Sequence, residues 1–222
     1  MDPATDAQDD SKMVKNMESF VLREQAPGGI SDEELALAIE KSIGDIGDSM
    51  RILLIVPDIT RLYSKAGFIA NRYYHLLKET CEVNLLVALG THVPMTEAEC
   101  AGMYGDIPFE RFFMHNWRTD TVKLGLVPEE FVFDVSEGLV SLPVDVEVSR
   151  HLLDGYDLIL SVGQVVPHEV IGMANHSKNI LVGCGGASMI NSSHMLGAYF
   201  GMERIMGLDH TPVRKVFDYA CE

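Results

Sequence analysis

The sequence is poor in positive charge and has no long apolar run. Lysine and arginine number 17 against 33 acidic residues, for a formal net charge of −16. Nucleic acid and anionic membrane surfaces are bound through basic patches, so neither is expected as a partner. A small anionic substrate stays open, because one local Arg or Lys can hold it against the global field. No stretch approaches the ~18 apolar residues of a membrane span, and the acidic N-terminus lacks a secretory-signal pattern. The four cysteines, Cys81, Cys100, Cys184 and Cys221, stand far apart with no CxxC pair. That excludes a disulfide framework or four-cysteine zinc site and fits reduced thiols in a cytoplasmic protein. Neither a GxGxxG fingerprint nor a Walker lysine pattern occurs, so a dinucleotide or P-loop site is not expected.

What is present is an ordinary globular balance: 222 residues, 47% apolar and 23% charged. This is enough for one sizeable domain. Residues 1–17 read as a flexible, polar tail rich in Asp and Lys, and 18–222 as the domain. Ser31-Asp-Glu-Glu34 is a capping box before a helix carrying Leu35, Ile39 and Ile43, and Thr96-Glu-Ala-Glu99 is a second. Ile52–Val56 is a short apolar run of the kind buried on both faces of a sheet, Val83–Leu89 is another apolar run, and Tyr156–Ser161 is a third strand candidate. Helical patterns follow over about 66–79, 189–204 and 211–221, while 105–150 is weakly patterned. Strands alternating with helices predict an α/β, Rossmann-like layered fold with a mostly parallel sheet flanked by helices. The chain stops inside a helical pattern without a cap, which suggests a larger protein cut at that point.

In such sheets ligands sit at the carboxyl ends of the strands. Three of those ends carry polar side chains: Asp58-Ile59-Thr60-Arg61, Gly90-Thr91-His92 and Gln164 to His168. Arg matches carboxylate or phosphate bidentately, and histidine titrates where general acid–base work needs it. A structural Asp–Arg pair and a hydrogen-bonded histidine are the plainer alternatives, and His75, His115, His151 and His210 are left in that class. The run from Gly163 to His194 is denser, with His168, His176, Lys178 and His194 in a glycine-punctuated, weakly charged stretch that suits a cleft wall.

Taken together, Asp58-Ile-Thr-Arg61, Gly90-Thr-His92 with Pro94-Met-Thr-Glu97, Val166-Pro-His168, Lys178 and His194 resemble the lactate racemase family in order and spacing, over about residues 50–220. The resemblance implies a racemase or epimerase of a 2-hydroxy acid that works by reversible hydride transfer. It implies a nickel-pincer nucleotide, Ni(II)-pyridinium-3,5-bisthiocarboxylate mononucleotide, tethered to Lys178 through a thioamide. His194 would be the protein ligand to nickel, His92 and His168 the acid–base pair, and Asp58, Ile59, Thr60 and Arg61 the residues holding the cofactor, with Arg61 also near substrate. A chain of this family also needs cofactor biosynthesis proteins as partners. The family's second domain, which adds substrate-binding residues across the cleft, is not in this chain, so the 222 residues alone are expected to turn over poorly. Met173-Ala-Asn-His-Ser177 replaces a Gly-Gly-containing approach to the lysine, which marks a divergent branch and makes His176 an extra candidate contact. Two other readings stay open: a zinc hydrolase built on His92, His168, His194 and Asp58, and a non-catalytic nucleotide- or metabolite-binding module.

Overall fold

The computed structural model describes residues 19–222 apart from 26 and 45. The tail expected over 1–17 lies outside the described residues. The elements run α1 (Asp32–Ile43), β1 (Arg51–Val56), α2 (Ala66–Leu77), β2 (Glu82–Val87), α3 (Glu97–Tyr104), β3 (Phe112–Met114), β4 (Thr121–Val127) and α4 (Glu129–Val135). They continue as β5 (Val144–Ser149), β6 (Leu158–Ser161), β7 (Pro167–His168), β8 (Gly172–Met173), α5 (Ala187–Phe200) and α6 (Pro212–Cys221). Both expected capping boxes form, at Ser31/Glu34 and at Thr96/Glu99. Among the described residues no helix is long and apolar enough to cross a membrane.

The main sheet is parallel throughout, in the order β3-β2-β1-β6. β1 is buried along its length except at Arg51, because each face meets a different layer. Ile52, Leu54 and Val56 join Ala66, Ala70 and Tyr74 of α2 and Cys100 and Tyr104 of α3 in one core. Leu53 and Ile55 face the other way, onto Leu86, Cys184, Phe113 and Ile180. A run without alternation is what a strand covered on both faces requires.

The weakly patterned stretch 105–150 holds β3, α4 and an antiparallel pair, β4 with β5. β5 alternates strictly, with Val144, Val146 and Val148 facing inward. β4 breaks that rhythm with a register shift between Lys123 and Gly125, which is why its sequence reads poorly. This pair packs against α4, α5 and α6 around Met189, Leu196, Val213 and Phe217.

The two halves are stitched through residues 183–186. Gly90 N donates to Gly183 O (2.8 Å), Ser149 N to Cys184 O (2.7 Å) and Gly186 N to Glu147 O (3.2 Å). At Gly185 a Cβ would lie 1.9 Å from Leu181 O, so only glycine fits there. The helix expected to run to 204 stops at Phe200, because Gly201 takes φ 100° and a 3-10 turn follows.

Candidate active site

The three polar strand ends and the glycine-rich run line one cleft of about 450 Å³. β1 leads through Pro57 to Asp58, which caps the 3-10 turn Ile59–Ser64. The Asp58 carboxylate accepts from Thr60 N (3.1 Å) and Thr60 Oγ1 (2.5 Å). The Tyr104 hydroxyl donates to Pro57 O from below. Thr60 and Arg61 face the cleft, whereas Ile59 is absent from its lining and packs against the core around β1. Arg61 has no hydrogen bond or ion pair from its guanidinium among the described residues.

Past β2, Gly90 turns the chain with φ 54° and His92 N closes the turn on Leu89 O (2.9 Å). This brings the His92 ring onto Asp58, with Nδ1 hydrogen-bonded to Oδ2. A carboxylate only accepts, so Nδ1 carries the proton and Nε2 keeps its lone pair. Asp58 is 5% exposed, whereas the His92 side chain is 55% exposed. A buried carboxylate thus orients an accessible imidazole as a proton acceptor, the relation that a general base needs.

On the facing side, β6 ends at Ser161, and His168 sits on β7, paired with Gly172 of β8. Its Nδ1 accepts from Val170 N (3.2 Å), so the neutral ring holds its proton on Nε2. Burial, and then the charge of Lys178, pull its pKa down to about 4, and the neutral form prevails near pH 7. His168 is therefore posed as a donor and His92 as an acceptor.

Lys178 opens a single π-helical turn, Asn179–Gly183, closed by Cys184 N on Asn179 O (2.9 Å). Such turns are infrequent and recur at functional sites. The amine has no hydrogen bond or ion pair among the described residues. Burial and the charges of Arg61 and Arg214 lower its pKa, as nucleophilic lysines require.

His194 lies on α5, its ring edge-on to that of His168 with centroids 6.5 Å apart. Its Nδ1 is 2.7 Å from Ile190 O. A carbonyl only accepts, so Nδ1 is protonated and Nε2 is left with a lone pair. An imidazole whose second nitrogen is tied to a backbone carbonyl is the usual posture of a metal-binding histidine.

The other histidines lie elsewhere. His115 is buried and donates to Gly185 O (2.9 Å), and His151 stacks on Phe113. His75 meets Asp106 and His210 is exposed. His176 is exposed on the 173–177 loop and does not line the cleft. Glu169, Asn175 and Asn179 also line it, and sequence reasoning does not single them out. The i, i+4 spacing of the two asparagines is the available signal, and their side chains bond at 2.6 Å.

A parallel α/β sheet with a basic, imidazole-lined cleft at its carboxyl edge defines the class of the domain. The sequence model of the lactate racemase N-terminal domain matches residues 32–204, and the chain belongs to that family. A crystal structure of a Thermotoga maritima protein is similar over 86% of this chain and 47% of its own, at 25% identity and TM-score 0.79. The lactate racemase apoprotein of Thermoanaerobacterium thermosaccharolyticum is similar over 78% of this chain and 40% of its own, at 21% identity and TM-score 0.57. The chain therefore spans less than half the length of both. No curated protein matches it.

Proposed function

We propose that this chain is the cofactor-bearing part of a racemase or epimerase acting on a 2-hydroxy acid. In this reading Lys178 tethers a nickel-pincer nucleotide and His194 Nε2 ligates its nickel. The observation that carries it is the convergence, in one cleft, of an unpaired lysine amine with lowered pKa and a histidine whose free nitrogen holds a lone pair. A pincer group brings several donors of its own, so a single imidazole from the protein suffices, and imidazole suits nickel. By contrast, no group of three or more His, Cys, Asp or Glu side chains among the described residues could hold a metal ion. That argues against the zinc hydrolase, which needs three protein ligands.

When bound, the cofactor supplies a reversible acceptor for the hydride at C2. The residues of the chain do the rest. Arg61, its guanidinium unpaired, receives the substrate carboxylate. His92 Nε2 takes the hydroxyl proton, and buried Asp58 stabilises the imidazolium that forms. His168 donates a hydrogen bond from Nε2 to the substrate oxygen, to which His92 then returns its proton. To accept a proton there it must first release the Val170 amide, so the two histidines are not interchangeable.

The test is the full natural protein co-expressed with pincer-cofactor biosynthesis proteins, read by intact mass and nickel content. A nucleotide-sized adduct with about one nickel per chain is expected, and Lys178→Ala should lose both. An unmodified, nickel-free chain beside a control racemase that loads normally would overturn the reading. A chiral assay over a panel of 2-hydroxy acids then names the substrate.

A further inference from the structure

The loop that presents Lys178 turns on two successive residues of positive φ. Asn175 and His176 both lie in the left-handed region, with φ of 68° and 56°. Asn and His are among the Cβ-bearing residues that visit this region most readily, but singly, so two in succession call for support from the surroundings. The holding group comes from α6. Arg214 is 6% exposed, and its guanidinium donates to Met173 O, to Asn175 O (3.0 Å) and to Ser177 Oγ (3.0 Å). All three acceptors belong to this one loop and none is charged. Arg214 forms no ion pair among the described residues, although Asp218 one turn along α6 attracts it. A buried guanidinium left without these acceptors would be strongly unfavourable, so loop and arginine depend on each other.

On the other side Asn179 Nδ2 donates to Asn175 Oδ1 (2.6 Å) and Ser161 Oγ (3.1 Å). Lys178 thus sits between two clamps, one from α6 and one from β6. The family match ends at residue 204, so the α6 clamp lies beyond it.

We infer that Arg214 is a positioning residue for Lys178: by holding residues 173–177 in their left-handed turn, it presents the lysine amine to the cleft. What Lys178 then binds rests on the reading proposed above, but its presentation does not. The charged groups around the amine are Arg61 from the turn after β1, Arg214 from α6 and Glu169 between β7 and β8, with the neutral ring of His168 beside them. The two arginines favour the uncharged amine and Glu169 opposes them.

The experiment uses the cofactor-free protein and a small acylating probe, the N-hydroxysuccinimide ester of acetate. Acetylation of Lys178 is followed by peptide mass spectrometry across pH, with exposed Lys65 and Lys123 as internal references, and hydrogen exchange is read over 173–178. In the native protein the Lys178 profile should be centred at lower pH than those of the references. Arg214→Met should move it toward them and speed exchange of the loop amides at least tenfold, leaving the β1 and β2 amides protected. Arg214→Lys, which keeps charge but not the planar fork, should recover part of the pH profile and little of the exchange protection. Ser177→Ala removes one of the three bonds and should speed loop exchange by a smaller factor. It decides the matter if Arg214→Met does not fold. A folded Arg214→Met with unchanged loop exchange overturns the inference even if its Lys178 profile moves, because losing the charge moves that profile by itself. An unchanged Ser177→Ala overturns it when Arg214→Met is unfolded. Should the native protein never take up a pincer nucleotide while the variants behave as described, the cofactor reading fails and the positioning role stands.

Discussion

The two walls of the cleft are built in different ways. The wall made by residues 57–61 and 89–92 is assembled locally, on the ends of adjacent parallel strands that are buried past their first residues. Asp58 caps its own turn, His92 closes its own turn, and one hydrogen bond joins them. The wall from Gly163 to His194 is made of short pieces, β7, β8 and a π-helical turn, ahead of the start of α5, and is held from outside. Arg214 of α6, Ser161 of β6, Glu147 of β5 and Gly90 after β2 each tie part of it down. The first wall fixes a proton acceptor on a rigid scaffold. The second holds a strained loop and a π-turn in place, and it carries the groups that would meet a cofactor. A base needs one preset geometry, whereas a tether and a ligand need room and a low-charge setting, which local caps do not supply.

The largest effect should come from the first wall. Asp58→Asn keeps the shape but removes the carboxylate that fixes the His92 proton on Nδ1 and supports its imidazolium. Removing such an orienting carboxylate typically costs about 10²–10⁴-fold in turnover. Cofactor-loaded protein should therefore lose that much rate with its nickel content intact. Nickel loss in step with rate would mean that Asp58 serves the cofactor more than the base, and the division between the walls would fail.

In the second wall the sharpest structural test is Gly185→Ala. The new Cβ would lie 1.9 Å from Leu181 O, so the backbone must move where Cys184 O, Gly185 O and Gly186 N bond to β5 and His115. A loss of about 3 kcal/mol is expected from urea unfolding, in the upper range for single substitutions. A change below about 1 kcal/mol would show that the 183–186 stitch is dispensable.

The same contrast explains what the sequence makes legible. The first wall rests on apolar runs, one of them broken only at Asn84, and such runs end visibly, so Asp58, Arg61 and His92 stand out as strand-end residues from the sequence alone. Lys178 and His194 take their roles only from the resemblance to a family. In Met173–Ser177 the Asn-His pair is only a weak sign of two left-handed residues, and nothing near Arg214 marks it as more than a helix residue. Ile59 shows the limit of reading a motif as a block: its neighbours face the cleft and it turns into the core. β5 escapes notice although Val144-Asp-Val-Glu-Val148 alternates strictly, because its partner β4 is broken by an irregularity that no pattern reveals. Contacts within a turn leave a local signature, whereas clamps reaching across the fold do not.

The smallest effect follows from charge in the second wall. His168 titrates at about 4 in the folded chain, against about 6.5 for an ordinary histidine. Between those values the unfolded chain binds a proton that the folded chain refuses, so His168 makes stability fall as pH drops through that window and contributes nothing above it. Carboxylates with lowered pKa, such as Asp106, also make stability fall toward acid, but through a lower window. The informative quantity is therefore a difference in slope between two proteins. Unfolding in urea at pH 7.5, 6.0 and 5.0 should show the native chain losing stability faster than His168→Gln, and the two curves should run parallel above pH 7. Parallel curves through the whole range would mean that His168 is as free to protonate as an exposed histidine. Burial and the charge of Lys178 would then not hold the His168 ring neutral, and it could enter the cleft as a cation.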